Sequence, residues 1–280
     1  MNLRSKKVIL IDLKKQEFEV KTFTDLHDYI GGVSLGLKLY ELYQENDPLI
    51  FCIGPLNGFY PFCSKTGIIL KHKKSIEDMY IGGSLCGRIR YAGIDALLIY
   101  GKSKVPVTLN ILNTQVEFIE NILEHDALGL PGKRSVIFFK GSKLILDDYF
   151  TTAEDYLEKA FYKRNLNGIA VTGTEVYAPQ EFLKYQEIYE QVLQRKGELT
   201  TEQGWYPSCF NCPMSCGKSK VGEMGGNILT HSLVACEYAD SIFSDVGIVF
   251  SSLSTLGYDY THEDIENLPK LVEQTLKNIK

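Results

Sequence analysis

The sequence predicts an α+β fold, in which a β-rich part at residues 1–176 precedes a smaller α-helical part at residues 177–280. Short apolar runs that end at Gly, Pro, Asn or Asp recur through the first part, as expected for strands bounded by turns. After Pro179 the composition changes, and apolar residues recur at helical spacing. These two patterns place the predicted domain boundary between residues 176 and 177.

The β-rich part contains two predicted hairpins. The first joins an apolar run at residues 8–13 to an alternating run at 17–23, and the second joins residues 107–111 to 116–119 around Asn113. Between and after the hairpins, short apolar runs predict five further strands, at 49–53, 66–71, 96–100, 136–139 and 168–172. An amphipathic helix is predicted over 33–43, and Asn46-Asp47-Pro48 stops it.

The second part is predicted to be helical on both sides of a cysteine-bearing loop. Residues 181–195 have Phe182, Tyr185, Ile188 and Val192 on one face, and Lys196-Gly197 ends this helix. Two further helices are predicted over 229–248 and 261–280. The loop between the first and second helix is therefore the place to look for chemistry.

Composition excludes several classes of protein. A hydrophobic content of 44% and a charged content of 23% in 280 residues suit a globular chain with a core of its own. The net charge of −5 provides no basic field for nucleic acid or an anionic membrane. No run reaches the length of a membrane span, and the amino terminus lacks a signal-peptide pattern. Seven cysteines, an odd number, argue against a secreted disulfide framework, so we expect a cytoplasmic protein.

Cys209, Cys212 and Cys216 form a Cys-x2-Cys-x3-Cys motif within the loop. Iron–sulfur clusters commonly use four cysteines, one of which often comes from far along the chain. Zinc also binds sets of thiolates, and unligated thiols are a third alternative. The absence of a nearby His in the sequence favours the iron–sulfur cluster. Cys236 is a candidate fourth ligand, with a buried apolar role as its alternative.

Gly82, Gly83 and Gly87 precede or open a short predicted helix. Glycines in this position can expose backbone N–H groups to a phosphate. The alternative is a tight turn with close helix packing, because a glycine pattern alone is a weak signal.

Taken in order, these segments resemble the aldehyde ferredoxin oxidoreductase family of tungsten- and molybdenum-pterin enzymes. The matching segments are residues 29–32, 49–58, 82–87, 92–96, 101–107 and 209–216. The resemblance implies a two-sheet platform that holds a tungsto- or molybdo-bispterin against helical domains. It also implies a [4Fe–4S] cluster that passes electrons to ferredoxin.

The resemblance implies roles for particular residues. Lys65 stands for the basic residue of the family and would bind the cofactor together with the three glycines. The implied cluster ligands are Cys209, Cys212, Cys216 and a fourth cysteine that the family places in a later segment. Because family members are longer, a C-terminal partner subunit or a second copy is expected to complete the site.

Several positions depart from the family pattern. Tyr80 stands where the family has Asn, and a family loop is shortened to residues 161–167. The Glu-Tyr-Glu segment of the family is reduced to Glu237-Tyr238-Ala239, and no catalytic residue is assigned in this chain. Two functions are therefore predicted. The first is an iron–sulfur-dependent oxidoreductase acting on aldehyde or oxo groups with a partner. The alternative is a non-catalytic relative, an assembly or interaction module with a structural metal or no metal.

Overall fold

The computed structural model describes residues 3–120 and 125–280. Within these residues the strands are β1 (Lys6–Asp12), β2 (Glu17–Phe23), β3 (Leu49–Cys52), β4 (Thr66–His72), β5 (Ser75–Ile81), β6 (Ala96–Tyr100), β7 (Val107–Leu112), β8 (Gln115–Glu120), β9 (Arg134–Lys140), β10 (Lys143–Leu146), β11 (Leu166–Thr172) and β12 (Glu223–Met224). They form two sheets, so the predicted two-sheet platform is confirmed.

The first sheet has the strand order β12-β5-β4-β3-β6-β1-β2, and the second has the order β10-β9-β11-β7-β8. Each sheet contains one parallel pair, β1 with β6 and β7 with β11, and the remaining pairs are antiparallel. Both predicted hairpins, β1–β2 and β7–β8, are present as antiparallel pairs.

The two faces of the first sheet pack into different cores because successive side chains point to opposite sides. On β1, Ile9 and Ile11 face an apolar core shared with the second sheet. Val8 and Leu10 face a separate core that the helices of the opposite face cover. Alternate residues of one short apolar run are therefore buried on both sides, which explains why β1 reads as a continuous apolar run.

The helices among the described residues are α1 (Gly32–Tyr43), α2 (Leu85–Tyr91), α3 (Tyr156–Arg164), α4 (Phe182–Gln194), α5 (Ile228–Ser232), α6 (Asp240–Phe243), α7 (Val246–Leu256), α8 (His262–Glu266) and α9 (Leu268–Asn278). α1 lies on the outer face of the first sheet, and α9 packs against α1. None of the described helices is long and apolar enough to cross a membrane.

Three sequence predictions in this region are corrected. The single helix predicted over 229–248 is wrong, because Cys236 donates its N–H to the carbonyl of Phe62 and Val234 leaves helical geometry with φ 52°. The helix predicted over 261–280 is broken into α8 and α9 at Asn267. Pro269 lies in the first turn of α9 and lacks the N–H that a continuous helix needs there. Residues 161–167 are not a loop, because they span the end of α3 and the beginning of β11.

Residues 177–280 contribute directly to the platform. β12 is the edge strand of the first sheet and pairs with β5. Lys6 on β1 donates to the Ile30 carbonyl and to the hydroxyl of Tyr260. The predicted boundary at residue 177 stays a prediction, and these contacts show that the two parts share their cores.

Candidate functional site

A buried ion pair joins the platform to the second part of the chain. The Lys65 ammonium lies 2.7 Å from Oε1 of Glu223, and neither side chain is more than 2% exposed. Lys65 directly precedes β4, and Glu223 opens the edge strand β12. The Lys65 backbone N–H also donates to the carbonyl of Val234. The pair therefore connects two segments that are far apart in the sequence.

Glu223 is the centre of a larger polar network. Its carboxylate accepts the Cys236 thiol at 3.4 Å and the Glu237 N–H at 3.0 Å, and Nε2 of His231 lies 3.8 Å away. Burial by itself raises the pKa of a carboxyl, but the Lys65 ammonium and these donors hold the pKa of Glu223 at about 2. Burial likewise acts to lower the pKa of Lys65, but its acidic neighbours, Glu223 first, raise that pKa well above its usual value. Both groups of the pair are therefore charged.

Tyr80 covers one side of this network. Its ring packs on the His231 ring with centroids 3.9 Å apart, and its hydroxyl donates to Asp78 at 2.5 Å. Nδ1 of His231 lies 3.0 Å from the Asn227 carbonyl, so this nitrogen carries a proton and donates. The Tyr at the position where the family has Asn is thus a packing partner of a buried histidine.

The cysteine segment, residues 209–216, lies beside the ion pair. Cys209 and Cys216 are buried, whereas Cys212 is half-buried. The Lys65 cation acts on the predicted ligands Cys209, Cys212 and Cys236, favouring their thiolate forms. The structure therefore brings Cys236 into the same electrostatic environment as the clustered cysteines.

Backbone N–H groups donate to three of the four predicted ligand sulfurs. The pairs are Gly83 with Cys209, Met214 with Cys212, and Tyr238 with Cys236. Hydrogen bonds of this kind stabilise a thiolate and are among the features that tune iron–sulfur clusters. Such donors would favour thiolate ligands at these three positions.

Burial opposes the thiolate form of three of these cysteines. Burial raises the pKa of Cys209, raises that of Cys212 to about 12, and raises that of Cys236 well above its usual value. Metal ligation requires thiolates, so binding would release these protons. In residues 3–120 and 125–280, no group of three or more His, Cys, Asp or Glu side chains is arranged to hold a metal ion. The ligand roles of Cys209, Cys212, Cys216 and Cys236 stay predictions.

The glycine segment, residues 82–87, is in direct contact with the cysteine segment. A Cβ atom at Gly87 would lie 2.5 Å from the Phe210 ring, and one at Gly82 would lie 2.5 Å from Sγ of Cys209. The Phe210 N–H donates to the carbonyl of Gly83 at 3.0 Å. The two segments approach so closely that side chains at these glycines would collide with the cysteine segment.

Asp147 occupies the hydrogen-bond donors next to the glycines. Its carboxylate accepts the Ser84 N–H and the Ser135 hydroxyl, both at 2.7 Å, and the Val136 N–H at 3.2 Å. The Phe150 ring lies against the glycine segment from the same side. An internal carboxylate and an aromatic ring therefore stand where a phosphate would approach.

In this arrangement the residues do not fit the phosphate of a pterin. Glu223 neutralises Lys65, Asp147 takes the nearest backbone N–H, and the rings of Phe150 and Phe210 cover the glycines. Cofactor binding by Lys65, Gly82, Gly83 and Gly87 stays a prediction.

Sequence reasoning did not identify Glu223 or Asp147. The one sequence signal at Glu223 is that it is an isolated acidic residue in a glycine-rich stretch, Gly222 to Gly226. Ordinary loops show the same pattern. Asp147 lies in a turn after β10, a strand that the apolar pattern did not predict. His231, on α5, is also buried.

Known proteins resemble this chain in sequence and in fold. Residues 8–173 match the family model described as aldehyde ferredoxin oxidoreductase, N-terminal domain. Over 126 residues the chain is 33% identical to the aliphatic sulfonate oxidoreductase, WOR-like subunit, of Pyrococcus furiosus. That match covers 40% of this chain and 20% of the relative, so the chain spans a minor share of its length.

A solved structure shares the fold. A chain of the active site complex BamBC of benzoyl coenzyme A reductase, in complex with 1,5-dienoyl-CoA, superposes with a TM-score of 0.60 at 16% identity. The match covers 97% of this chain and 61% of that one. At this identity the similarity extends to the fold alone.

Proposed function

Because the chain belongs to the family with the aldehyde ferredoxin oxidoreductase N-terminal domain, we propose that it is an iron–sulfur-carrying subunit of an oxidoreductase that acts on aldehyde or other oxo groups. The observation that supports the proposal most is the influence of the Lys65 ammonium on Cys209, Cys212 and Cys236, each of which also accepts a backbone N–H.

In this proposal Cys209, Cys212, Cys216 and Cys236 hold a [4Fe–4S] cluster. When bound, such a cluster supplies one-electron transfer. The Lys65 ammonium lowers the energy of thiolates in a low-dielectric site, where a nearby opposite charge counts for more than in water. Glu223 fixes the position of that ammonium and accepts a hydrogen bond from the Cys236 thiol. Cluster binding would replace this hydrogen bond.

The substrate site would be completed by a partner. The relatives named above are a subunit and a component of a complex, which supports a partner subunit or a second copy of this chain. We further propose ferredoxin as the electron partner and the cytoplasm as the compartment, since free thiols persist in reducing conditions.

The test is metal analysis of protein purified and reconstituted without oxygen. We expect about four iron and four sulfide per chain, with visible charge-transfer absorption that bleaches on reduction. Cys212→Ser should lose most of the iron. Cys52→Ser is the matched control, because Cys52 is a buried thiol that contacts Gly67 and lies outside the predicted ligand set. Wild-type protein without iron would refute the proposal.

A second candidate function is an assembly module that carries a structural metal or none. The burial of Cys209 and Cys216, the contact between Cys236 and Glu223, and the covered glycine segment favour it. The same metal analysis separates the two candidates. A colourless protein that unfolds cooperatively and contains no iron would support the assembly module.

A further inference from the structure

We propose that side chains of this chain occupy its predicted cofactor site, which consists of Lys65 and the glycine segment. The carboxylates of Asp147 and Glu223 stand in for cofactor phosphates, and the glycine segment seats the cysteine segment in place of a pterin. Any pterin of the complex is then held by the partner, a consequence that rests on the proposed function. The seat itself requires no metal.

The first step concerns the cation. A lysine that binds phosphate must offer its ammonium to the ligand, but Lys65 is buried against Glu223 at 2.7 Å. Glu223 cannot leave without also losing the Cys236 thiol and the Glu237 N–H. Removing one member of a buried pair strands a charge in a low-dielectric site. The Lys65 ammonium therefore pairs with the Glu223 carboxylate and is not available to a phosphate.

The second step concerns the backbone donors. The Gly83 N–H donates to the sulfur of Cys209, and the Ser84 N–H donates to Asp147 at 2.7 Å. Asp147 is tied to β9 by Ser135, whose hydroxyl donates to it. Two of the N–H groups that the glycine pattern would offer to a phosphate are thus already in use.

The third step concerns space. Gly87 lies inside α2, where Ala is ordinarily favoured over Gly. Its backbone does not require glycine, because no left-handed φ is found there. What requires glycine is the Phe210 ring, three atoms of which would lie 2.5–2.6 Å from an added Cβ. The absence of a side chain at Gly87 is explained by the cysteine segment without reference to a ligand.

The test is a double-mutant cycle between Gly87 and Phe210 on iron-free protein. Urea unfolding is followed by circular dichroism for wild type, Gly87→Ala, Phe210→Ala and the double variant. Gly197→Ala is the control, because nothing lies within 4 Å of that position and its backbone is not left-handed. We expect Gly87→Ala to lower the urea midpoint in wild type and to raise it in the Phe210→Ala background.

The change of sign is the decisive result. A Gly87→Ala change in urea midpoint that is equal in the two backgrounds, or as small as that of Gly197→Ala, would overturn the proposed packing of the cysteine segment on the glycine segment. If Gly87→Ala gives no soluble protein, recovery in the double variant supports the proposal. A soluble Phe210→Ala protein whose double variant does not fold contradicts it.

A second measurement addresses the phosphate. Wild-type protein titrated with inorganic pyrophosphate and observed by ³¹P NMR should show no saturable binding at millimolar concentration. Protein produced in a host that makes the tungsten- or molybdenum-pterin should yield no pterin on extraction. Saturable pyrophosphate binding that Lys65→Met abolishes, or stoichiometric pterin, would overturn the proposal. Iron measured on the same samples tests the proposed function separately.

Discussion

Replacing Glu223 with Ala should be among the most damaging single changes in this chain. The substitution leaves the Lys65 ammonium, which is 1% exposed, without its partner 2.7 Å away. It also removes the acceptor of the Cys236 thiol and of the Glu237 N–H. Breaking a buried pair by deleting one member costs about 3–5 kcal/mol, so we expect a loss of that size in the free energy of unfolding.

The assay is urea unfolding at pH 7, followed by circular dichroism and extrapolated to water. Glu273→Ala is the matched control, because Glu273 pairs with Lys277 at the same 2.7 Å but both are about two-thirds exposed. That control should lower the urea midpoint only slightly, because solvent screens an exposed ion pair. The double variant Lys65→Met with Glu223→Leu should recover most of the loss, since apolar residues of similar volume replace a buried pair well.

The same pair predicts sensitivity to acid. The pKa of Glu223 is about 2 in the folded chain and 4.5 ordinarily, so its stabilisation is complete above about pH 5. It is lost as the pH falls from 4.5 to 2, and the difference corresponds to about 3 kcal/mol. The double variant should lack this part of the acid dependence. An equal acid dependence in both proteins, or a cost below about 1 kcal/mol for Glu223→Ala, would refute the reasoning.

Three further predictions concern other parts of the chain. Burial lowers the pKa of Lys6 from 10.5 to about 8, so the stability of wild type relative to a Lys6→Met variant should rise as the pH rises through that window, and a difference that stays constant with pH would contradict this. Cys236→Ser should reduce iron content and visible absorption after reconstitution, whereas unchanged values would restrict Cys236 to its contact with Glu223. Val272→Ala in the buried face of α9 should cost about 2 kcal/mol in urea unfolding, against less than about 1 kcal/mol for the half-exposed Leu276→Ala, and equal costs would exclude packing of α9 on α1.

Elements with a strong local pattern could be predicted from the sequence. The β1–β2 hairpin follows from alternation, and α1 follows from helical spacing closed by Asn46-Asp47-Pro48. β5 was not predicted, because its residues Ser75 to Asp78 are mostly polar and lie near the sheet edge. β12 has only two residues, and pairing with β5 makes it a strand. No local periodicity exists over so short a segment.

The helices of the second part show where local patterns are insufficient. Residues 229–248 are apolar enough for one helix, yet the chain turns at Val234 so that Cys236 can bond to Phe62. The energy of that contact comes from another part of the molecule. A helical pattern in sequence contains no information on which distant carbonyl will compete for an N–H group.

The sequence by itself determined the fold class, the main strands, α1 and the presence of a three-cysteine motif, since each depends on residue type at short spacing. The tertiary structure alone decided which charge meets Lys65, because Glu223 lies in another segment and becomes its partner only when β12 joins the sheet. It also decided that Phe210 rests on Gly87 and that Asp147 takes the Ser84 N–H. Glycines and a lysine look alike in sequence whether they face a phosphate or their own chain. The difference arises from long-range packing, which determines which carboxylate and which aromatic ring contact the lysine and the glycines.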